Sequence, residues 1–526
     1  MRLTLLIVAI LLAFTGQAQD SLIVKYSKTI TAAELQKHLT IIASDLYQGR
    51  ETGEKGLEMA GKYIVDEFQN DNLSGPVKNG SNNFYQEFEL EKTTTKITLS
   101  AGKEKFENYK DHAFLTSSDG VNEFEVVFAG YGIYSDKYND YADIEVKDKI
   151  VAFMMGEPKN KKGIYLTTGT NVPSVKLDTT INGKFESVQT KAMASVMRGA
   201  KGFILIEEND KEAEKTINLL ETYMGETQLS FPGQPKTVEG FPVIYMSPTQ
   251  IARMFGTNKK KFDKCLGDSI SKGVSSAGKW NVKIKIETER NTEIIKTRNV
   301  LGFIEGTDKK DEILVICAHY DHEGIKKGIV YNGADDNGSG TVSLMELSEA
   351  FSKAKADGNG PRRSILFIAM TGEEKGLLGS KYYAENPIFP MTNTVSALNI
   401  DMLGRIDKEH EQNKSYIYLI GSDYMSSELH RINEEAAKVY APEIQLDYTF
   451  NDKNHPEKLY ERSDQFNFAE KGVPVIFYFS GLHADYHTPN DDVDKIDFNL
   501  LEHRLHLVFA TAWELANRNE RVIVDK

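Results

Sequence analysis

Short apolar runs with no polar alternation recur through the C-terminal part of the chain, at residues 313–318, 365–370, 395–400 and 473–479. Such a run predicts a strand buried on both faces, the situation of a parallel sheet covered by helices on each side. Between the runs the pattern shifts to helical spacing, as with Val342, Met345 and Phe351. From about Lys296 onward the chain therefore predicts alternating βαβ units: an α/β fold with a mostly parallel twisted sheet and helices on both faces.

Upstream, Thr31 before Ala32-Ala33-Glu34 reads as a helix cap, and Leu57, Ala60, Tyr63, Ile64 and Phe68 share one helical face. From about Asn122 to Gly273 the chain carries strand-like runs, at residues 124–131, 150–155, 202–206 and 241–245, separated by polar, Gly-bearing loops. This region reads as an inserted β-rich module. A chain of 526 residues is too long for one average core. The expected division is a first piece over 19–115, an insertion over 116–280 and the main piece over 281–526.

The first residues follow another rule. Arg2 precedes an apolar run from Leu3 to Phe14, then Gly16-Gln17-Ala18 with small residues at the cleavage-defining places. This predicts a signal peptide over residues 1–18 and an exported chain, periplasmic or secreted. No later stretch approaches transmembrane length, so no membrane insertion is expected of the mature chain.

Charge and cysteine content narrow the classes further. With 63 Lys+Arg against 77 Asp+Glu the net charge is −14, which repels nucleic acid phosphates. Only Cys265 and Cys317 are present, so no disulfide framework is expected, and Cys317 inside its apolar run reads as an inert buried thiol.

The candidate chemistry is positional. His319 follows the first apolar run, Glu373 and Glu374 follow the second, Asp401 closes the third, and His487 lies in the loop after the fourth. Open parallel sheets place their sites beyond the carboxyl ends of the strands. Asp335, in the Gly-rich loop Asn332 to Gly340, is expected at the same crevice, where one carboxylate can bridge two cations. The set of two imidazoles and three carboxylates suits zinc, with cobalt or manganese as substitutes. The blander alternatives are a helix cap at Asp335-Asp336 and a solvated acidic loop at Glu373-Glu374. His322, His455 and His483 read as packing or hydrogen-bonding residues.

Five blocks resemble the M28 metallopeptidases, which include bacterial aminopeptidases. They are His319-Tyr320-Asp321-His322, the loop from Gly333 to Gly340, the segment from Gly372 to Ser380, Asn399 to Arg405, and Tyr486-His487-Thr488-Pro489-Asn490-Asp491. They stand in the family's order, and the N-terminal helices, through Ser44-Asp45-Leu46 and Gly49-Arg50, are similar too. The inserted region resembles, more loosely, a protease-associated domain.

The resemblance implies two Zn2+ ions per chain and a peptide substrate, cleaved at its N-terminus. It further implies that Asp335 bridges the ions, that His319 and Asp401 hold one, and that Glu374 and His487 hold the other. Glu373 is left for proton transfer, and Asp321 is expected to orient the His319 ring. One departure stands out: where the family often shows Ser-Asp-His, this chain reads Ser463-Asp464-Gln465. A carboxypeptidase or a glutaminyl-cyclase-like enzyme, or an inactive binding protein on the same scaffold, are the other readings.

Overall fold

The computed structural model describes residues 20–78, 82–174, 181–225, 227–234 and 241–526; the expected signal peptide lies outside them. The described residues gather into two compact units, one within 20–89 and 295–526 and one within 90–294.

In the first unit the elements that position the candidate site are α1 (Ala32–Ile42), α2 (Lys55–Asn70), the part from residue 295 onward of β1 (Asn281–Ile304), β2 (Lys309–His319), α3 (Gly340–Ala356), β3 (Arg363–Met370), β4 (Thr394–Ile400), β5 (Tyr416–Ile420), α4 (Ser427–Tyr440), β6 (Gln445–Asp447), β7 (Val475–Phe479) and α5 (Phe498–Asn517). The strands lie in the order β6-β5-β7-β4-β2-β3-β1. The four expected runs are β2, β3, β4 and β7, and they pair parallel to one another at the centre. β1 joins β3 and β5 joins β7 antiparallel.

Both faces are covered, as the unbroken apolar runs require. Along β2, Leu314, Ile316 and Ala318 face one hydrophobic core with Leu39, Leu347 and Phe509. Ile313, Val315 and Cys317 alternate with them into a second core with Tyr383 and Phe468. Each large apolar side chain so buried contributes about 1.5–3 kcal/mol. Cys317 is fully buried and unbridged, and burial pushes its thiol well above the ordinary range.

α1 begins where the Thr31 side chain accepts the Glu34 N–H at 3.3 Å. α2 follows with Leu57, Ala60, Ile64 and Phe68 buried along one face.

The second unit is wider than the expected insertion. Residues 91–94 pair with 227–230, and 281–288 pair with 120–127, so strand pairing draws the flanks of the insertion into this unit. Its character also differs from a purely β-rich module. Gly120–Phe128, Ile150–Met154, Gly202–Ile206 and Val243–Met246 pair in parallel, and parallel pairs need crossovers, two of which contain the helices Ile181–Val196 and Asp210–Met224.

Candidate metal centre

The carboxyl ends of β2, β3, β4 and β7 open on one side of the sheet, and the loops leaving them carry the candidate side chains. His319 ends β2. Glu373 and Glu374 follow β3 after a turn at Gly372, whose φ of +69° falls where glycine is favoured. Asp401 follows β4, and His487 lies beyond β7.

The structure brings His319, Glu373, Glu374, Asp401 and His487 together, and it corrects the residue between them. His319 Nε2 lies 3.4 Å from Asp336 Oδ1 and 3.4 Å from Asp401 Oδ1. On the other side, His487 Nε2 lies 3.1 Å from Asp336 Oδ2 and 3.0 Å from Glu374 Oε2. Asp336, not Asp335, is thus the carboxylate that offers one oxygen to each imidazole.

Asp335 turns the other way. Its Oδ1 accepts the Gly404 N–H at 2.6 Å, and its Oδ2 lies 3.3 Å from His483 Nε2. The cause is local backbone: Asp336 (φ −103°, ψ 97°) and Asn337 (φ −119°, ψ 51°) both leave the helical region, and a near-extended residue sends its side chain to the side opposite its neighbour's. Asp491 holds the arrangement by accepting the N–H groups of Asp335 and Asp336, both at 3.0 Å. Asn337 ties the loop to β4 through the Ile400 carbonyl at 2.9 Å.

Asp321 also differs in detail from expectation. The atom facing His319 Nδ1 at hydrogen-bond distance is the Asp321 backbone carbonyl, at 3.2 Å, while its carboxylate is 3.8 Å away. The carboxylate instead accepts from the Thr52 hydroxyl at 3.0 Å and the Glu373 N–H at 3.2 Å. Asp321 therefore holds the Glu373 backbone and, through its carbonyl, the His319 ring. Glu373 Oε2 stands 3.9 Å from His319 Nε2.

Residues not expected as ligands support the centre. His322 Nδ1 meets Glu374 Oε1 at 2.8 Å, a hydrogen-bonding role that orients Glu374. Ser463 donates to Asp401 Oδ2 at 2.7 Å, and Gln465, which stands at the departure from the family pattern, accepts from Asn399 at 2.8 Å. Buried Arg50 donates to the carbonyls of Ile42, Tyr320, Asn332 and Gly333, at 2.7–2.9 Å, fixing the base of the Gly-rich loop. Gly49-Arg50 was legible as a motif, but only the tertiary contacts show what the guanidinium does. His455 packs against Phe450 away from the centre.

The electrostatics are those of a site short of positive charge. Burial pushes Asp336 up to about 8, with the Glu374 charge adding to it, and burial holds Glu373 well above the carboxylate range. Burial alone would depress the two imidazoles, but Asp401 and Glu373 lift His319 well above its ordinary value and Glu374 and Asp336 lift His487 to about 11. His319 Nε2, Asp336 Oδ2 and Asp401 Oδ1 are buried with no hydrogen-bond partner among the described residues. Buried polar atoms are seldom left so. One ligand atom each from His319, Asp336 and Asp401, and from His322, Asp336 and Glu374, lie within 4.8 Å of one another. The donor set of imidazole and carboxylate fits zinc.

Known proteins resemble this chain in sequence and in fold. The probable zinc metalloprotease of Pyrenophora teres f. teres is 24% identical over 308 residues, covering 47% of this chain and 62% of the relative. The probable leucine aminopeptidase of Arthroderma otae is 31% identical over 232 residues, 43% of this chain and 59% of the relative. The chain spans about three-fifths of the length of the curated relatives it matches. Among solved structures, the aminopeptidase from Aneurinibacillus sp. strain AM-1 superposes with a TM-score of 0.58 at 18% identity, over 96% of this chain and 98% of that one, a likeness of fold. The model of peptidase family M28 matches residues 299–512, the stretch that carries His319, Asp336, Glu373, Glu374, Asp401 and His487.

Proposed function

We propose that this chain is an exported zinc aminopeptidase that uses two ions to release N-terminal residues from peptides. The observation that carries the reading is Asp336, whose two oxygens face His319 with Asp401 on one side and His487 with Glu374 on the other. Such a carboxylate suits a pair of cations better than one. When bound, zinc supplies Lewis acidity towards the scissile carbonyl and water of lowered pKa.

The chain's own residues do the rest. Glu373 is held by its backbone N–H on Asp321 with its carboxylate at the mouth of the centre. It would take the proton of the attacking water and return it to the departing amine. His322 and Ser463 hold Glu374 and Asp401 in place through one oxygen each, leaving the other free to face the centre. The excess of carboxylates would attract the free ammonium group of a peptide. The relatives' names, with aminopeptidase among them, favour the N-terminal reading. Residues 90–294 would be a protease-associated domain, and the N-terminal apolar run a signal for export.

The test is metal content and cleavage together. The full chain should hold two zinc equivalents, lose turnover to chelator and recover it with Zn2+. It should cleave peptides with a free amine and spare N-acetylated ones. Activity indifferent to chelators, or cleavage only of blocked peptides with a free C-terminus, would overturn the proposal.

A further inference from the structure

We propose that Glu323 receives the terminal ammonium group of the peptide and that Lys326, three residues on, fills the same place in the free protein, so that substrate enters by displacing it. This role rests on the aminopeptidase reading above and names the contact that enforces it. Glu323 adds a carboxylate to the centre: one of its oxygens lies within 4.8 Å of an oxygen of Glu374 and of a ring nitrogen of His487. It borders the side of the centre away from Glu373, whose carboxylate stands near His319.

Position and charge single it out. In a peptide the terminal nitrogen is two bonds from the scissile carbonyl carbon, roughly 2.5 Å away, so the anion that receives it must border the ions themselves. Asp336, Glu374, Asp401 and Glu373 do so too, but two divalent ions match their charges and leave none among them for a further cation. Glu323 supplies the charge they lack.

An ammonium already sits on it. Glu323 is only 4% exposed, and its Oε2 is paired with Lys326 Nζ. Lys326 belongs to a hairpin that starts directly after Glu323, in which Gly324–Lys326 pairs with Ile329–Tyr331. Lys327 and Gly328, with φ of +52° and +79°, form the two-residue turn such a hairpin favours. Lys326 Nζ lies over the Tyr331 ring, 5.2 Å from its centre. The Lys326 side chain is 33% exposed, so its stem runs in from solvent and its head reaches a buried carboxylate. An alkylammonium arriving from water has the same path, and the N-terminus of a peptide is such a group on a stem of its own.

Displacement needs no rearrangement of the sheet. A flexible four-carbon stem can turn outward, where its ammonium is strongly hydrated. The incoming ammonium keeps Glu323 paired, which matters because a buried carboxylate stripped of its partner is costly. A blocked, uncharged N-terminus cannot make the exchange, so the pair selects for free amines. The rival account makes Glu323 a further ligand of the ion beside Glu374 and His487.

The test uses the full zinc-loaded chain and 3-methylbutylamine, an alkylammonium at pH 7.5 with no bond to cleave, titrated by calorimetry. Glu323→Gln should bind it about 10- to 100-fold more weakly than wild type, the loss expected of a charged hydrogen bond, and keep the wild-type zinc content. Lys326→Met should bind it about two- to fivefold more tightly, because the competitor is gone. With a free-amine peptide, KM should rise in Glu323→Gln and fall in Lys326→Met, with kcat little changed in either. Equal amine affinity in wild type and Glu323→Gln overturns the proposal, and so does loss of zinc in that variant, which would make Glu323 a ligand. If Glu323→Gln does not fold, Lys326→Met decides, and an amine affinity equal to wild type overturns the displacement. Failure of wild type to cleave free-amine peptides would sink the aminopeptidase reading instead, and the amine titration tells the two failures apart because it needs no turnover.

Discussion

Replacing Asp336 and Asp335 by asparagine, one at a time, separates the two neighbours. Asp336 faces both imidazoles, at 3.4 and 3.1 Å, so Asp336→Asn removes the charge that the proposed pair of cations would share. Taking one partner from a buried charge pair costs about 3–5 kcal/mol. At 1.4 kcal/mol per factor of ten this is roughly a 10²- to 10⁴-fold loss of affinity. Asp335→Asn should behave differently. The amide oxygen can still accept from Gly404, and the loss is that of charge assistance to one hydrogen bond, about 1 kcal/mol of stability, the difference between a charged and a neutral acceptor. Zinc content after dialysis against a weak chelator should therefore collapse in Asp336→Asn and stay at the wild-type level in Asp335→Asn, whose melting temperature drops by a few degrees. Turnover of an aminoacyl substrate should follow zinc content. A metal-depleted Asp335→Asn beside a metal-replete Asp336→Asn would refute the assignment of the bridging position.

Three further outcomes are expected. Glu373→Gln should retain zinc while turnover drops by about 10²- to 10⁴-fold, and loss of zinc in that variant would make Glu373 a ligand instead. Arg50→Met leaves four buried carbonyls without their donor, at about 1–3 kcal/mol for each that water cannot reach, so its urea midpoint should fall markedly; an unchanged midpoint would show the guanidinium to be dispensable. For Glu346, a folded pKa of about 8 lies above the ordinary carboxylate value, so the folded state holds a proton that the unfolded state releases. That contribution is complete below the unfolded pKa and is lost as pH rises through about 8. In metal-free protein Glu346→Gln should therefore match wild type near pH 4.5 and melt higher than wild type near pH 9. Parallel melting curves at both pH values would contradict the shift.

The residue pattern alone determined the central strands and the ends at which chemistry gathers, because a run apolar on every residue is stable only when covered on both faces. β2, β3, β4 and β7 satisfy that condition, and His319, Glu373, Glu374, Asp401 and His487 stand just past their ends. Which member of Asp335-Asp336 faces the centre was not legible in the chain. Adjacent residues of one type differ only in direction, and direction follows from backbone angles that Asp491, Gly404 and, through Asn337, Ile400 impose from elsewhere in the fold. The same reason hid the meeting of Glu323 with Glu374 and His487: the chain tells which strand end each loop follows, but only packing decides which side chains of those loops meet.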